Sequence, residues 1–312
     1  MRAWTRRRRG AARAALELSI IAKPANPEPA SSDVLIRVSH VALQFSSEGL
    51  FKLLPVLPFT YPPVPELEFS GTIVAAGDAA AADVRDTGTR VIAFVSIPDM
   101  ILGRGALAEY VRVPSGNATR LAEDADMVAM AGVLGSGSTA LKMLRVGGVR
   151  AGSRVLVNGA SGSVGSLLVQ LCKRRGVHVV AVASGGNEEL VRGLGADEFI
   201  DYRMSNPLPD YLGPNYGNEP FDFVLDCVGL QALYTHSPSY LKPHGAVINV
   251  GIHYVPTPPT KDDALMLVKM VEEGELKVAV DSVFEMEDAV QAYERVATKR
   301  ARGRAVIRVE RN

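Results

Sequence analysis

Residues 154–165 read RVLVNGASGSVG, and this stretch decides the fold. Val155 to Asn158 form a short apolar run of strand character. Gly159-Ala160-Ser161-Gly162-Ser163-Val164-Gly165 make a glycine-rich turn, and Ser166 to Arg175 continue as a helix with Leu167, Leu168, Leu171 and Cys172 on its inner face. Strand, glycine turn and helix in that order build an anion site, because free backbone N–H groups and the positive helix end converge on one point. A strand ending about 20 residues further on fits a dinucleotide fold. Of the three glycines such a turn uses, the chain has Ala160, Gly162 and Gly165. Gly162 lets the backbone approach a pyrophosphate, and Gly165 lets the helix pack on the sheet.

Outward from the turn, the rhythm is strand–helix–strand. The next strands fall at Val177 to Ala183, Glu198 to Asp201, Phe221 to Asp226 and Ala246 to Gly251, with a helix from Glu188 to Leu194 that Asn187 starts as N-cap. This alternation predicts a doubly wound parallel sheet. Residues 16 to 120 are instead β-rich, with strands at Val34 to Val38, Ser70 to Gly77, Arg90 to Val95 and Ala108 to Pro114; Leu54 to Pro65 reads as an irregular loop. The tail carries two amphipathic helices, one with Ala264, Leu267, Val268 and Val271 on a face and one with Ala289, Val290, Tyr293, Val296 and Ala297, then a strand from Ala305 to Val309.

The 312 residues suffice for two domains. Lys+Arg and Asp+Glu both number 34, so no net charge selects nucleic acid or an anionic membrane as partner. No apolar run approaches the ~20 residues of a membrane span. Cys172 and Cys227 read as buried free thiols of a reducing compartment, and the expected location is cytoplasmic. The acid-free, Arg-rich Met1 to Ala15 also resembles a mitochondrial presequence; the alternative is a first strand, Met1 to Thr5, turning through Arg6 to Gly10. Two isolated cysteines cannot build a four-cysteine zinc site. None of His40, His178, His236, His244 and His253 lies three to five residues from another, and each reads as a loop or surface histidine. No metal is expected. After the second strand comes Ala183-Ser184-Gly185-Gly186-Asn187, without the carboxylate that an NAD site presents to the ribose. That favours NADPH, with Tyr202 and Arg203 as further phosphate partners.

Several motifs now make a resemblance specific. Asp33 to Val38, Pro65-Glu66-Leu67-Glu68-Phe69-Ser70-Gly71, Gly105-Ala106-Leu107-Ala108-Glu109-Tyr110, the Gly159–Gly165 loop, Leu194-Gly195-Ala196-Asp197, Phe221 to Gly229 and Thr298 to Arg304 resemble those of medium-chain dehydrogenases/reductases. The branch is the zinc-independent one similar to quinone oxidoreductases and enoyl reductases, fungal members in particular. The resemblance implies a GroES-like catalytic domain from residues 1–120 plus 256–312, and a Rossmann NADP-binding domain at 121–255. It implies NADPH (NADP) held by Gly159, Ser161, Gly162, Ser163, Val164 and Gly165 at the pyrophosphate, and by Ser184, Asn187 and Tyr202 at the 2′-phosphate. Thr139, Val228 and Gly251 would lie at the nicotinamide half. Hydride would pass to a small-molecule quinone or α,β-unsaturated carbonyl. Gln44, in the place of an asparagine of zinc-free relatives, is the one candidate catalytic residue. Alternatives are a nucleotide-binding protein of little activity and a zinc-free carbonyl/alcohol dehydrogenase.

One departure is large. Where the family has a further helix and sixth strand, this chain passes from Gly251 to Lys261 through Pro256, Pro258 and Pro259. Prolines so placed cannot supply a central strand. The expectation is a five-stranded nucleotide sheet with an exposed edge, and a monomer or altered homodimer.

Overall fold

The computed structural model describes residues 1–53, 56, 63–250 and 259–310. In chain order the elements begin β1 (Arg2–Arg6), α1 (Ala12–Ala15), β2 (Leu16–Ile20), β3 (Asp33–Ala42), α2 (Ser47–Leu53), β4 (Glu68–Ala76), β5 (Arg90–Phe94), α3 (Ile97–Ile101), β6 (Tyr110–Pro114), β7 (Ala118–Arg120), α4 (Met127–Ala131) and α5 (Leu134–Gly147). There follow β8 (Arg154–Asn158), α6 (Ser163–Arg174), β9 (His178–Ala183), α7 (Glu188–Gly193), β10 (Glu198–Asp201), α8 (Leu208–Tyr216), β11 (Phe221–Asp226), α9 (Gln231–Thr235) and β12 (Leu241–Asn249). The chain ends with α10 (Lys261–Glu272), β13 (Val280–Glu285), α11 (Ala289–Ala297) and β14 (Arg304–Arg308). Two compact units result, one of residues 1–135, 258–273 and 280–312, the other of 136–257 and 274–279.

The second unit is a parallel sheet in the order β10-β9-β8-β11-β12. Its central strands are apolar on both faces: Val155, Leu156 and Val157 in β8 and Val179 to Val182 in β9 are buried, as strands covered by helices on either side must be. On one face Leu208, Leu212 and Tyr216 of α8 and Leu233 of α9 pack on Leu156, Val180 and Val224. Helix α6 is more deeply set than a one-sided stripe implies, since every residue from Gly165 to Cys172 is buried. The segment after Gly274 contributes to that burial. The Gln170 side chain donates to the Lys277 carbonyl (2.9 Å) and accepts from the Lys277 N–H (2.8 Å), as a neighbouring strand would.

The strand order turns back between β8 and β11, so their C-terminal ends flank a switch point, where ligands of such sheets bind. Edge strand β12 begins at Leu241 rather than Ala246, and among the described residues it pairs with β11 alone. Lys242, Pro243 and His244 are exposed on it.

The first unit holds a seven-stranded sheet. Strands β13, β14, β3, β4, β5 and β7 are neighbours in that order, and β6 pairs with β3. Strand β13 was not expected from the sequence, because its partner β14 lies about 20 residues away and its own faces are half-buried or exposed. The Arg-rich N-terminus is built into this unit: β1 pairs with β2, Trp4 is buried, and its indole N–H donates to the Met286 carbonyl (2.6 Å). His40, read from sequence as a loop or surface residue, is buried on β3, where its ring bonds the Ser39 hydroxyl at 2.9 Å. Burial, then Arg308, holds its pKa below the ordinary value. Among the described residues no helix is long and apolar enough to cross a membrane.

Candidate cofactor site

The glycine turn is held by its backbone. Gly159 has φ of 79°, a left-handed conformation that glycine adopts without penalty. The N–H groups of Gly159 and Ala160 both donate to the Val182 carbonyl, at 3.1 and 3.0 Å, tying the turn to β9. At Gly165 a β-carbon would meet the Gly159 carbonyl oxygen at 2.2 Å, so α6 rises as close to the strand as two backbones allow. The N-cap residue Gly162 has no side chain to accept from the first turn. The N–H groups of Ser163, Val164 and Gly165 thus stand among the orphan donors of a helix N-terminus, where the dipole also favours an anion. Ser161, Gly162, Ser163 and Val164 are all half-buried.

Ser184 and Asn187 lie just past β9. Asn187 occupies the N-cap position of α7, but its side chain does not cap. Its amide donates instead to the Ser161 hydroxyl (3.0 Å) and the Ser184 hydroxyl (3.1 Å), joining the glycine turn to the end of β9. The Asn187 side-chain oxygen is buried without a hydrogen-bond partner. Such an orphan acceptor is costly unless a ligand donates to it.

Tyr202 follows β10, with its N–H bonded to the Ala183 carbonyl at 3.1 Å, and is exposed. The Arg203 guanidinium lies over its ring at 6.0 Å. Here the structure adds a group the sequence did not reveal. Asp201 pairs in register with Ala183, and its carboxylate sits where a β-carbon on Gly185 would be 2.5 Å away. A carboxylate therefore does stand at the end of the second strand, supplied by its neighbour. One of its oxygens accepts from the Arg203 N–H (2.9 Å), which fixes the turn presenting Tyr202 and Arg203.

A second unforeseen residue organises the other side of the switch point. Asp226 is fully buried at the end of β11. It accepts from the N–H groups of Val228 (2.9 Å), Gly229 (3.1 Å) and Leu230 (2.7 Å), and from the side-chain amides of Asn158 (2.9 Å) and Asn249 (3.2 Å). Five donors from β8, β12 and the following loop satisfy one carboxylate. The loop they fix carries Val228, 65% exposed, with its side chain against Gly159. Thr139 is half-buried on α5, beside Ser138, whose buried hydroxyl has no partner. Gly251 lies outside the described residues.

Gln44 belongs to the first unit and is tied into a buried knot. Its N–H donates to Glu66 (3.0 Å) and its side-chain amide to Glu68 (2.9 Å). Glu68 also accepts from the Gly135 N–H (2.6 Å) and pairs with Arg304. Glu66 accepts from the Tyr293 hydroxyl (2.7 Å). Burial pushes the Glu66 pKa up and the Arg304 pKa down to about 10. Cys172 and Cys227 are free thiols; burial pushes the Cys172 pKa up to about 12. Among the described residues no group of three His, Cys, Asp or Glu side chains is placed to hold a metal ion.

A parallel sheet carrying an uncapped helix N-terminus at its switch point, joined in one chain to a β-rich unit, is the arrangement of a dinucleotide-binding enzyme. Comparison with known proteins agrees. The alcohol dehydrogenase GroES-like domain matches residues 30–123 and the zinc-binding dehydrogenase family residues 163–298. Medium chain reductase pydE of Acremonium sp is 41% identical over 361 aligned positions, covering 99% of either chain. Trans-enoyl reductase poxH of Penicillium oxalicum is 31% identical over 377 positions, covering 99% of this chain and 98% of the other. In fold, the quinone oxidoreductase from Coxiella burnetii superimposes with a TM-score of 0.87 at 24% identity, 99% of both chains being covered. The chain belongs to the medium-chain dehydrogenase/reductase superfamily. Its 312 residues leave at least 49 of the 361 positions aligned with the Acremonium protein facing gaps.

Proposed function

We propose that the protein is an NADPH-dependent, zinc-independent oxidoreductase that reduces a small quinone or α,β-unsaturated carbonyl. The observation that carries this is the uncapped start of α6 at the glycine cradle, next to the Ser161–Asn187–Ser184 cluster with its orphan acceptor. The residues fit the cofactor. Ser161, Gly162, Ser163, Val164 and Gly165 would receive the pyrophosphate, and Ser184, Tyr202 and Arg203 the 2′-phosphate. The Asn187 oxygen would accept from a ribose hydroxyl. Thr139, Val228 and Gly251 would wall the nicotinamide half. When bound, the cofactor supplies the hydride. The names of the relatives, medium chain reductase and trans-enoyl reductase, support an activated double bond as acceptor. Gln44, standing by the resemblance where zinc-free relatives have an asparagine, supports chemistry without zinc. The partners are small molecules, with neither nucleic acid nor membrane, and the edge of β12, which among the described residues pairs with β11 alone, supports a monomer or altered homodimer.

A second reading, cofactor binding with little turnover, is favoured by the positions of the Acremonium protein that have no counterpart in this shorter chain. One experiment separates the two. Purified protein is titrated with NADPH and NADH by cofactor fluorescence, then quinones and enones are added and cofactor oxidation followed. Tighter NADPH binding and turnover on an enone or quinone are expected. Binding without turnover on any acceptor favours the second reading, tighter NADH binding contradicts the cofactor assignment, and product analysis separates C=C from C=O reduction.

A further inference from the structure

Within the first unit lies a cavity of about 230 Å³, lined mainly by apolar side chains, among them Phe51, Val64 and Met100, with Arg6, Ser47 and Glu66 as its polar members. Glu66 is unusual in two respects. It is fully buried, and its φ of 71° places a non-glycine residue in the left-handed region. The neighbouring backbone imposes that conformation. The Leu107 N–H donates to the Pro65 carbonyl (3.0 Å), the Ala106 N–H to the Glu66 carbonyl (2.9 Å) and the Val64 N–H to the Gly103 carbonyl (3.2 Å). Gly105 abuts Val64 and Pro65 so closely that a β-carbon there would lie 2.1 Å from the Val64 oxygen. Glycine would take this φ freely. A side chain held in strain by surroundings that over-determine it points to a use for that side chain.

The carboxyl group accepts from the Tyr293 hydroxyl at 2.7 Å and the Gln44 N–H at 3.0 Å, and the Ser47 hydroxyl is its third hydrogen-bond partner. Tyr293 is fixed by an edge-to-face contact with Phe51 at 5.3 Å, and Phe51 is itself a cavity wall. Ser47 is buried, hydrogen-bonded to Glu66 and on the cavity wall; when the neutral acid donates its O–H to the Ser47 oxygen, the Ser47 hydroxyl hydrogen is left for a ligand in the open space. An acid kept neutral by an apolar setting serves as a hydrogen-bond donor where an ionised one cannot, and burial favours the neutral form of Glu66.

We propose that this cavity is a binding site for a small apolar molecule bearing a neutral carbonyl group, anchored by the Ser47 hydroxyl with Glu66 behind it. It rests on the proposed function in that the ligand's chemistry is that of the acceptor, and its binding is measured without cofactor. The probe is 2-octanone, titrated by calorimetry into the cofactor-free protein and into Ser47→Ala, Glu66→Gly and Met100→Trp. Glu66→Gly removes the carboxyl while suiting the positive φ, and Met100→Trp fills the space without touching the anchor. Saturable binding at one site is expected, weakened at least five-fold by Ser47→Ala and by Glu66→Gly and abolished by Met100→Trp, with octanoate binding more weakly than the ketone. Thermal unfolding of each variant confirms that it is folded. No saturable binding, or binding undiminished in Ser47→Ala, overturns the proposal. If enones oxidise NADPH while 2-octanone fails to bind, this inference alone falls; if the ketone binds but no acceptor is turned over, the proposed function alone falls.

Discussion

The glycine turn of the second unit and the Gln44–Glu68–Arg304 knot of the first are both dense in polar groups, yet they use them in opposite ways. At the turn, helix α6 starts without a cap and the Asn187 oxygen is an orphan. In the knot, Glu68 is met by Gln44, Gly135 and Arg304. Hydrogen-bonding capacity left open at the head of a helix marks a place for a ligand, whereas capacity satisfied internally under burial marks a place where the fold is specified. The two regions should therefore fail differently when altered.

The largest effect is expected at the turn. Gly165→Val would set side-chain atoms against the Gly159 carbonyl, which a β-carbon alone meets at 2.2 Å. The helix must then move away from the strand, and its donors move with it. NADPH affinity, read by cofactor fluorescence, should fall at least 100-fold, with about 2–3 kcal/mol of stability lost to overpacking. Retained affinity would place the phosphate elsewhere. In the knot, Arg304→Met leaves the Glu68 carboxylate buried without its cation, a change that typically costs about 3–5 kcal/mol. Here urea unfolding should report the loss while cofactor affinity in the folded fraction is unchanged. An equal loss of affinity would collapse the distinction between the regions.

Between these extremes lies Asp226, buried and satisfied like the knot but fixing a loop beside the turn. Asp226→Asn replaces one acceptor oxygen with a donor amid five donors. At least one N–H is then orphaned, at about 1–3 kcal/mol. Weaker stability together with about ten-fold weaker NADPH binding is expected; a stability change alone would make Asp226 a purely structural residue.

The sequence revealed the scaffold better than its corners. Glu198–Asp201 and Phe221–Asp226 are strands at the bounds expected, the second announced by its consecutive apolar residues Phe223, Val224 and Leu225. Strand β12 was read as starting five residues late, since Lys242-Pro243-His244-Gly245 looks like a turn and is tolerated because the strand is at an edge among the described residues. Asn187 looks like a helix cap by type and position, but its amide turns to two serines, one of them 26 residues away in sequence. Asp201 and Asp226 were legible as strand ends and illegible as site residues. Their partners, Gly185 for one and Asn158, Asn249 and the 228–230 loop for the other, are brought to them by strand register.

A smaller test of internal satisfaction uses Asp281, whose carboxylate accepts two bonds from Arg295 (2.8 and 2.6 Å) and one from the Arg302 N–H (2.8 Å). The Arg295 bonds, reinforced by Arg302 and Ser282, hold its pKa down to about 2, against the cost of burial. An acid whose pKa is depressed on folding contributes its stability above the unfolded value of about 4 and loses it as pH falls through the folded one. Asp281→Asn should therefore lower stability by about 1 kcal/mol at pH 7, allowing for solvent around Arg295. The gap should narrow between about pH 4 and pH 2. A constant gap across that range would show that the charge is not what matters.

The finest test lies at the open site, where two charges oppose each other. Asp201, against Gly185, disfavours a 2′-phosphate, while Arg203 on the same turn favours it. Asp201→Asn keeps an oxygen to accept from the Arg203 N–H and removes the negative charge, so NADPH affinity should rise about three-fold with little change for NADH. Arg203→Ala removes the cation and should lower NADPH affinity by a similar factor, again sparing NADH. Such factors suit charges interacting near a surface, where solvent screens each pair to less than about 1 kcal/mol. Both should shrink as salt is raised. If neither substitution moves the NADPH-to-NADH ratio, the turn at Asp201–Arg203 does not face the ribose, and discrimination must rest on the uncharged pair Ser184 and Asn187.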